Sequence, residues 1–357
     1  MNTLLRHQSD FSYLFIILAL FIGCNQVGVF EPNPAPVFTW KQYLIDYDIC
    51  ESLRYDFIWA SSSDDVYLVG EITCADYDLI HFDGRSWENV PLRAPYTSYF
   101  DVQNIFGFDQ NNIWICGDAG AEGTRVDMLG HYDGSGWTRI PPPYIVREHS
   151  TLYSIYGDRP DNIWAGGNYG TLYHYDGYIW KRDTLIFPNP PKAEDAVQYG
   201  IQSIIGNEIH GYYLKTHGWT SDVGSIAYLF RYEQNQWACI DSGDYAGILY
   251  MSPEGTLYIT GSNLRKWNGK NWTDLNLDYL VNGIHVESDH QIFATLNATS
   301  GSTIAYFNGK EWIEYDELRT TKIYYFDVLY IDGELFVLGQ RWEGKNIGVV
   351  WQGKPVL

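Results

Sequence analysis

The chain has 357 residues, with 23 Lys+Arg against 44 Asp+Glu and a formal net charge of −21. That field repels phosphate and excludes nucleic acid as a partner, because phosphate binding needs clustered Lys and Arg. Aromatic residues make up 17% of the chain, with 14 Trp and 30 Tyr, too many for a disordered acidic polymer, and the length allows a large core without disulfide staples.

The first 23 residues read as a targeting segment. Tyr13 to Ile22 is an unbroken apolar run. At about 1.5 Å per residue it covers about half of a bilayer core, which fits a signal-peptide core and not a spanning helix. It ends Leu20-Phe21-Ile22-Gly23-Cys24, which resembles the lipobox of bacterial lipoproteins, with Phe21 in place of the usual Leu. The resemblance implies a diacylated Cys24 as the new N-terminus, anchoring the protein in the outer membrane of a bacterial envelope, on its periplasmic or surface side. An ordinary secretory signal cleaved nearby is the alternative. Residues 24–37 then read as the lipidated cysteine and a tether, and 38–357 as the folded domain.

Outside the cytoplasm disulfides are permitted, and Cys50 and Cys74 flank the first repeat, making them the candidate pair. Cys116 lies in the apolar run Ile113-Trp114-Ile115-Cys116 and reads as a buried thiol. No Cys-x-x-Cys and no His pair at ligand spacing is present, so no metal and no cofactor is expected.

A phrase recurs along the domain: an aromatic residue, Asp or Asn, Gly, two residues, then Trp. It appears as Phe82-Asp83-Gly84 with Trp87, Tyr132-Asp133-Gly134 with Trp137, and Tyr175-Asp176-Gly177 with Trp180. It returns as Trp267-Asn268-Gly269 with Trp272 and Phe307-Asn308-Gly309 with Trp312, and in degenerate form as Tyr232 to Trp237. Gly84 and Gly309 stand five repeats and 225 residues apart, a period of 45. That period fits a propeller blade, and the phrase predicts a hairpin with a type I′ turn at each Asp-Gly or Asn-Gly. Upstream of each hairpin stand two further apolar strands, such as Ser154-Ile155-Tyr156-Gly157 and Asn162-Ile163-Trp164-Ala165-Gly166. Each unit therefore has four strands, a to d.

Seven first strands are legible, at Phe57, Ile105, Ile155, Ile204, Ile248, Ile284 and Val328. The seventh unit stops short of a fourth strand, whereas Phe38 to Tyr43 resembles the Trp-led outer strands. The prediction is an all-β, seven-bladed β-propeller of four-stranded antiparallel blades, closed by the N-terminal strand joining the last blade.

Gly166-Gly167, Tyr175 and Trp180 resemble a kelch repeat, and Asn162-Ile163-Trp164-Ala165-Gly166-Gly167 with Gly170-Thr171-Leu172 is similar to the sensory propellers of two-component regulators. As an architecture the chain resembles propeller lipoproteins of bacterial surfaces. The Gly-His and Trp-Asp pairs of WD40 repeats and the Asp box of sialidases are absent.

His81, His131 and His174 hold one position in three successive blades, so the ring keeps them apart and they read as packing residues. The acidic links at Asp64-Asp65, Asp109 and Asp158/Asp161 read as side-chain turns. The d–a and b–c connections vary in length and open on one face, where binding is usually built. That face collects Tyr96, Tyr99, Arg125, Tyr144, His149, Tyr169, Lys215, His217, Trp219, Arg341 and Trp342. Aromatics mixed with Arg and His suit a glycan or a protein partner. The expected function is therefore a monomeric, membrane-anchored binding or scaffold protein with no catalytic residues. The alternative is a glycan-cleaving hydrolase or lyase with its site at the mouth of the central channel.

Overall fold

The protein was analysed as a computed structural model describing residues 32–46, 54–70, 79–92, 100–121, 124–143, 150–188, 199–220, 224–243 and 246–356. Cys24, Cys50, Cys74, Tyr96, Tyr99, Tyr144 and His149 lie outside these residues, and with them the lipidation and disulfide expectations. The described residues form seven four-stranded antiparallel sheets.

The first strand, β1 (Phe38–Ile45), precedes the first blade in the chain. Blade 1 holds β2 (Phe57–Ser62), β3 (Asp65–Val69), β4 (Ile80–Phe82) and β5 (Trp87–Asn89). Blade 2 holds β6 (Phe100–Asp109), β7 (Asn112–Ala121), β8 (Thr124–Tyr132) and β9 (Trp137–Ile140). Blade 3 runs from β10 (Leu152–Arg159) and β11 (Asn162–Gly167) to β12 (Leu172–Tyr175) and β13 (Trp180–Asp183). In blade 4 the strands are β14 (Gly200–Asn207), β15 (Gly211–Thr220), β16 (Gly224–Glu233) and β17 (Gln236–Gly243). Blade 5 is built of shorter strands, β18 (Leu249–Met251), β19 (Leu257–Ile259), β20 (Arg265–Trp267) and β21 (Trp272–Asp274). Blade 6 has β22 (Ile284–Ser288), β23 (Gln291–Ala298), β24 (Gly301–Phe307) and β25 (Trp312–Glu314). The last unit supplies only β26 (Ile323–Ile331), β27 (Glu334–Trp342) and β28 (Asn346–Pro355).

The missing outer strand of blade 7 is β1. It pairs antiparallel with β28 over its whole length, from Phe38 opposite Pro355 to Ile45 opposite Gly348. The seven-bladed ring closes as its sequence predicts.

The core is circular. Seven hydrophobic clusters each bridge two adjacent blades, so apolar faces of neighbouring sheets bury one another all the way round. Where the last blade meets the first, Phe336, Leu338 and Val350 pack on Val66, Leu68, Ile80 and Phe82.

The repeated turn departs from expectation in detail. Phe82 pairs with Trp87, so four residues intervene and the turn is not a two-residue type I′ hairpin. Gly84 alone takes a positive φ, +84°, and the Asp83 carboxylate accepts N–H bonds from Arg85 and Ser86, both at 2.9 Å. The same pattern recurs at Asp133, Asp176, Asn268 and Asn308. The side chain satisfies two backbone donors, which makes these Asx-type turns. A two-residue loop with positive φ at both positions appears instead in the degenerate copy, at Gln234 and Asn235 between paired Glu233 and Gln236.

Candidate functional site

The inner strands carry a second repeat that the sequence does not announce. In four blades the pairing of the first strand with the second skips one residue: Gln103, Tyr153, Gln202 and Phe326. A β-bulge of this kind re-aims the extra side chain out of the ladder. The residue after it turns back toward the next blade. Asn104 Oδ1 accepts the Ile155 N–H, Ser154 Oγ the Ile204 N–H, Ser203 Oγ the Leu249 N–H, and Asp327 Oδ2 the Ile58 N–H. Side chains thus staple one inner strand to the next.

These staples align the blades residue by residue. The positions equivalent to the four bulges are, in blade order, Asp56, Gln103, Tyr153, Gln202, Gly247, Asn282 and Phe326. All seven line one cavity of about 600 Å³, at the ends of the inner strands where the d–a and b–c connections open. This is the mouth of the central channel. Arg54, Leu280 and Tyr324 complete its rim.

Three amides, three phenols and two phenyl rings dominate the wall. Its charged groups are committed. Arg54 Nε pairs with Asp56 Oδ1 at 2.8 Å, and its guanidinium lies 5.9 Å from the Phe326 ring centroid. Both oxygens of Asp327 accept backbone N–H groups, from Ile58 at 3.2 Å and Val328 at 2.9 Å. Burial pushes the Asp327 carboxyl up to about 7 against the pull of those two donors, and nearby Asp56 adds to the rise.

Lys215 lies directly behind this wall. The sequence places it in a variable connection, but β15 and β16 extend as one long hairpin up to Thr220 opposite Gly224. Lys215 is therefore a strand residue, fully buried, and its Nζ donates to Gln202 Oε1 at 2.8 Å and to the Gly247 carbonyl at 2.6 Å. Burial lowers its pKa to about 7. The corresponding positions, facing the bulge or staple residues on the second strands, are Cys116 in blade 2, Gly166 in blade 3 and Thr295 in blade 6. One lysine among such residues is an expensive choice. Because Lys215 holds the Gln202 carbonyl, the amide of this cavity-lining residue is fixed, with its amino group as the remaining donor.

The other expected site residues are scattered. Tyr169 sits at φ +59° in the turn Asn168–Gly170 on the same face, beside Tyr153, which bonds Asn168. Arg125 stands above blade 2, 3.8 Å from Asp118, on a β7–β8 hairpin that also replaces an expected loop. His217 bonds Ser225 across the β15–β16 hairpin, and Trp219 follows it on β15. Arg341 and Trp342 end β27 and wall a separate cleft of about 370 Å³ between blades 6 and 7. Sequence reasoning missed the mouth residues themselves. Their signal is positional: each stands two residues before a buried aliphatic of its inner strand, from Ile58 in blade 1 to Val328 in blade 7.

The repeated histidines serve the fold. His81 stacks on Tyr67 at 4.3 Å and meets Asp65 Oδ1 at 2.7 Å. His131 stacks on Trp114 and bonds Asn112, and His174 stacks on Trp164 and bonds Asn162. Among the described residues no group of three or more His, Cys, Asp or Glu is placed to hold a metal ion. Cys116 is a buried free thiol.

No protein-family model and no curated protein matches the chain. Solved structures do. Ycf48 bound to a D1 peptide superposes on 90% of this chain and 99% of its own, with a TM-score of 0.60 at 14% identity. Ycf48 from Cyanidioschyzon merolae covers 88% and 98%, with a TM-score of 0.55 at 14% identity. The GH74 enzyme of Niastella koreensis reaches a TM-score of 0.58 at 13% identity over 83% of this chain and 53% of its own. The likeness is one of fold.

Proposed function

We propose that the protein is a binding propeller that holds a polypeptide partner at the mouth of its central channel. The observation that carries this is the ring of seven equivalent positions, one per blade, that line one cavity and differ from blade to blade in residue type. Amides and aromatic rings at those positions suit a ligand with backbone-like donors and acceptors. A same-fold protein, Ycf48, with a peptide bound supports a polypeptide over a glycan. We further propose that the chain is monomeric and anchored through a lipidated Cys24 to the outer membrane of a bacterial envelope; incorporation of a clickable palmitate analogue that a Cys24→Ser change abolishes is the expected outcome.

The rival reading, a glycan-cleaving enzyme at the same mouth, rests on the neighbouring carboxyls of Asp56 and Asp327, one of them titrating near neutrality. Glycoside hydrolysis needs an acid and a base free to face the substrate. Asp327 is occupied by two backbone donors and Asp56 by Arg54, which favours binding.

Peptide and glycan arrays probed with the full chain test the two readings. Captured peptides should be lost by a Gln103→Ala/Tyr153→Ala double variant whose melting temperature stays near wild type. Capture of glycans alone, with turnover that Asp327→Asn abolishes, would establish the enzyme instead.

A further inference from the structure

Three depressions lie end to end along the seam between blades 6 and 7. Tyr324 and Phe326 wall both the channel mouth and the 370 Å³ cleft. Lys322, Ile323 and Arg341 wall both that cleft and an outer groove of about 270 Å³, which reaches Gln42 on β1 and Trp351 on β28. The path thus runs from the innermost strand of blade 7 to its outermost. Three inter-strand spacings make about 14 Å, the reach of about four extended residues.

We propose that this seam is a second stretch of the binding site, a groove that takes an extended acidic segment of a polypeptide whose neighbouring part occupies the mouth. The inference rests on the binding reading above and adds the partner's charge and its direction of travel. Three features support it.

The first is periodicity. Lys322, Tyr324 and Phe326 alternate with Ile323 and Tyr325, which are buried in the blade. That alternation turns one side of the approach to β26 toward both the mouth and the cleft.

The second is charge. The walls of the cleft contain Lys322 and Arg341 and no carboxylate, in a chain of net charge −21. Lys322 makes no ion pair among the described residues. Arg341 Nη2 reaches Glu343 at 3.3 Å, while its Nε–H is buried with no acceptor among the described residues. Cations gathered in a cleft focus the field there, against the sign of the rest of the surface. The outer groove adds Arg319, held by Glu314 and Asp316, and one carboxylate, Glu317, to the Lys322 and Arg341 it shares with the cleft.

The third is exposed aromatic surface. Trp342 is 68% exposed and Tyr324 39%. Buried Trp and Tyr fill the blade interfaces; of the exposed ones, Tyr178 stands alone in a c–d turn, whereas these two flank one cleft. Large rigid rings beside an Arg are the side chains that most often carry interface energy.

The test uses the full-length chain and a fluorescein-labelled octapeptide of alternating Glu and Thr, read by fluorescence anisotropy, with a Lys-for-Glu peptide and hexagalacturonate as comparison probes. The acidic peptide should bind, more weakly as salt rises from 50 to 200 mM. A Lys322→Glu/Arg341→Glu variant should lose about tenfold or more in affinity, and Trp342→Ala about fivefold, with melting temperatures near wild type. No binding of the acidic peptide, equal binding of the Lys peptide, preference for hexagalacturonate, or indifference to the charge reversal would each overturn the proposal. A partner captured on arrays that is lost in mouth variants but unaffected by seam variants overturns the groove and leaves the binding reading standing.

Discussion

The two faces of this propeller use repetition in opposite ways. On the face of the Asx turns, five of the c–d connections repeat one device, with an Asp or Asn side chain capping two backbone N–H groups and a positive-φ Gly beside it. The neighbouring histidines of blades 1 to 3 likewise repeat one stack on an aromatic ring. On the opposite face, the seven equivalent mouth positions hold Asp56, Gln103, Tyr153, Gln202, Gly247, Asn282 and Phe326, with only the two Gln alike. Positions that solve the same folding problem converge on one chemistry. The mouth positions are under no such constraint, and here they differ.

The comparison is broken most severely by opening the ring. Removal of residues 37–46 takes away β1, strips eight cross-strand pairs from β28 and exposes what Phe38 and Ile45 cover. Burial of two such side chains contributes about 1.5–3 kcal/mol each before the ladder is counted. The truncated chain should melt about 10 °C or more below the intact one by circular dichroism. Unchanged melting would mean that closure contributes nothing and that the circular core is not cooperative.

A change on the turn side comes next. Trp164 is 1% exposed, stacks on His174 at 3.8 Å and stands edge-on to Trp237 of the next blade at 5.2 Å. Trp164→Ala should cost about 3–5 kcal/mol in denaturant unfolding, because a cavity opens between two blades. The same truncation at the mouth, Tyr153→Ala, should cost less than half of that. Equal costs would mean that the two faces do not divide labour.

That division also explains what could be read from the residues alone. The period, the blade count and the closing strand were legible because the folding device leaves the same residues at the same spacing: Asp-Gly or Asn-Gly, then Trp. Phe38 to Tyr43 stood out as an orphan outer strand for the same reason. The mouth was not legible, since its residues share a position and not an identity. Bulges at Gln103, Tyr153, Gln202 and Phe326 also shift the inside–outside alternation by one residue, so a strict period-two reading aims them at the wrong side. The β7–β8 and β15–β16 hairpins read as loops because their Gly, Thr and charged residues are loop-like, yet they pair to the tip. Lys215 reads as a residue of the variable-loop face on that account, whereas it is a buried strand residue.

Lys215 gives the smallest and sharpest test, because it joins the two faces' logic: a buried strand position used to set a mouth residue. In the unfolded chain the amine keeps its ordinary value near 10.5, whereas burial brings it to about 7 in the fold. Between pH 7 and 9 the unfolded state therefore binds more protons, and stability rises with pH by up to about 1.4 kcal/mol per unit from this residue. Lys215→Met removes that slope, so the gap between wild-type and variant melting temperatures should move by several degrees in favour of wild type across this window. Other titrating groups are common to both chains and cancel in the difference. The variant also frees the Gln202 amide to rotate, which should weaken partner capture even at a pH where the two chains are equally stable. A gap that stays constant with pH would mean that the Lys215 amine keeps its proton throughout. An unaltered partner affinity would show that the donor held toward the mouth by Lys215 is not one the ligand uses.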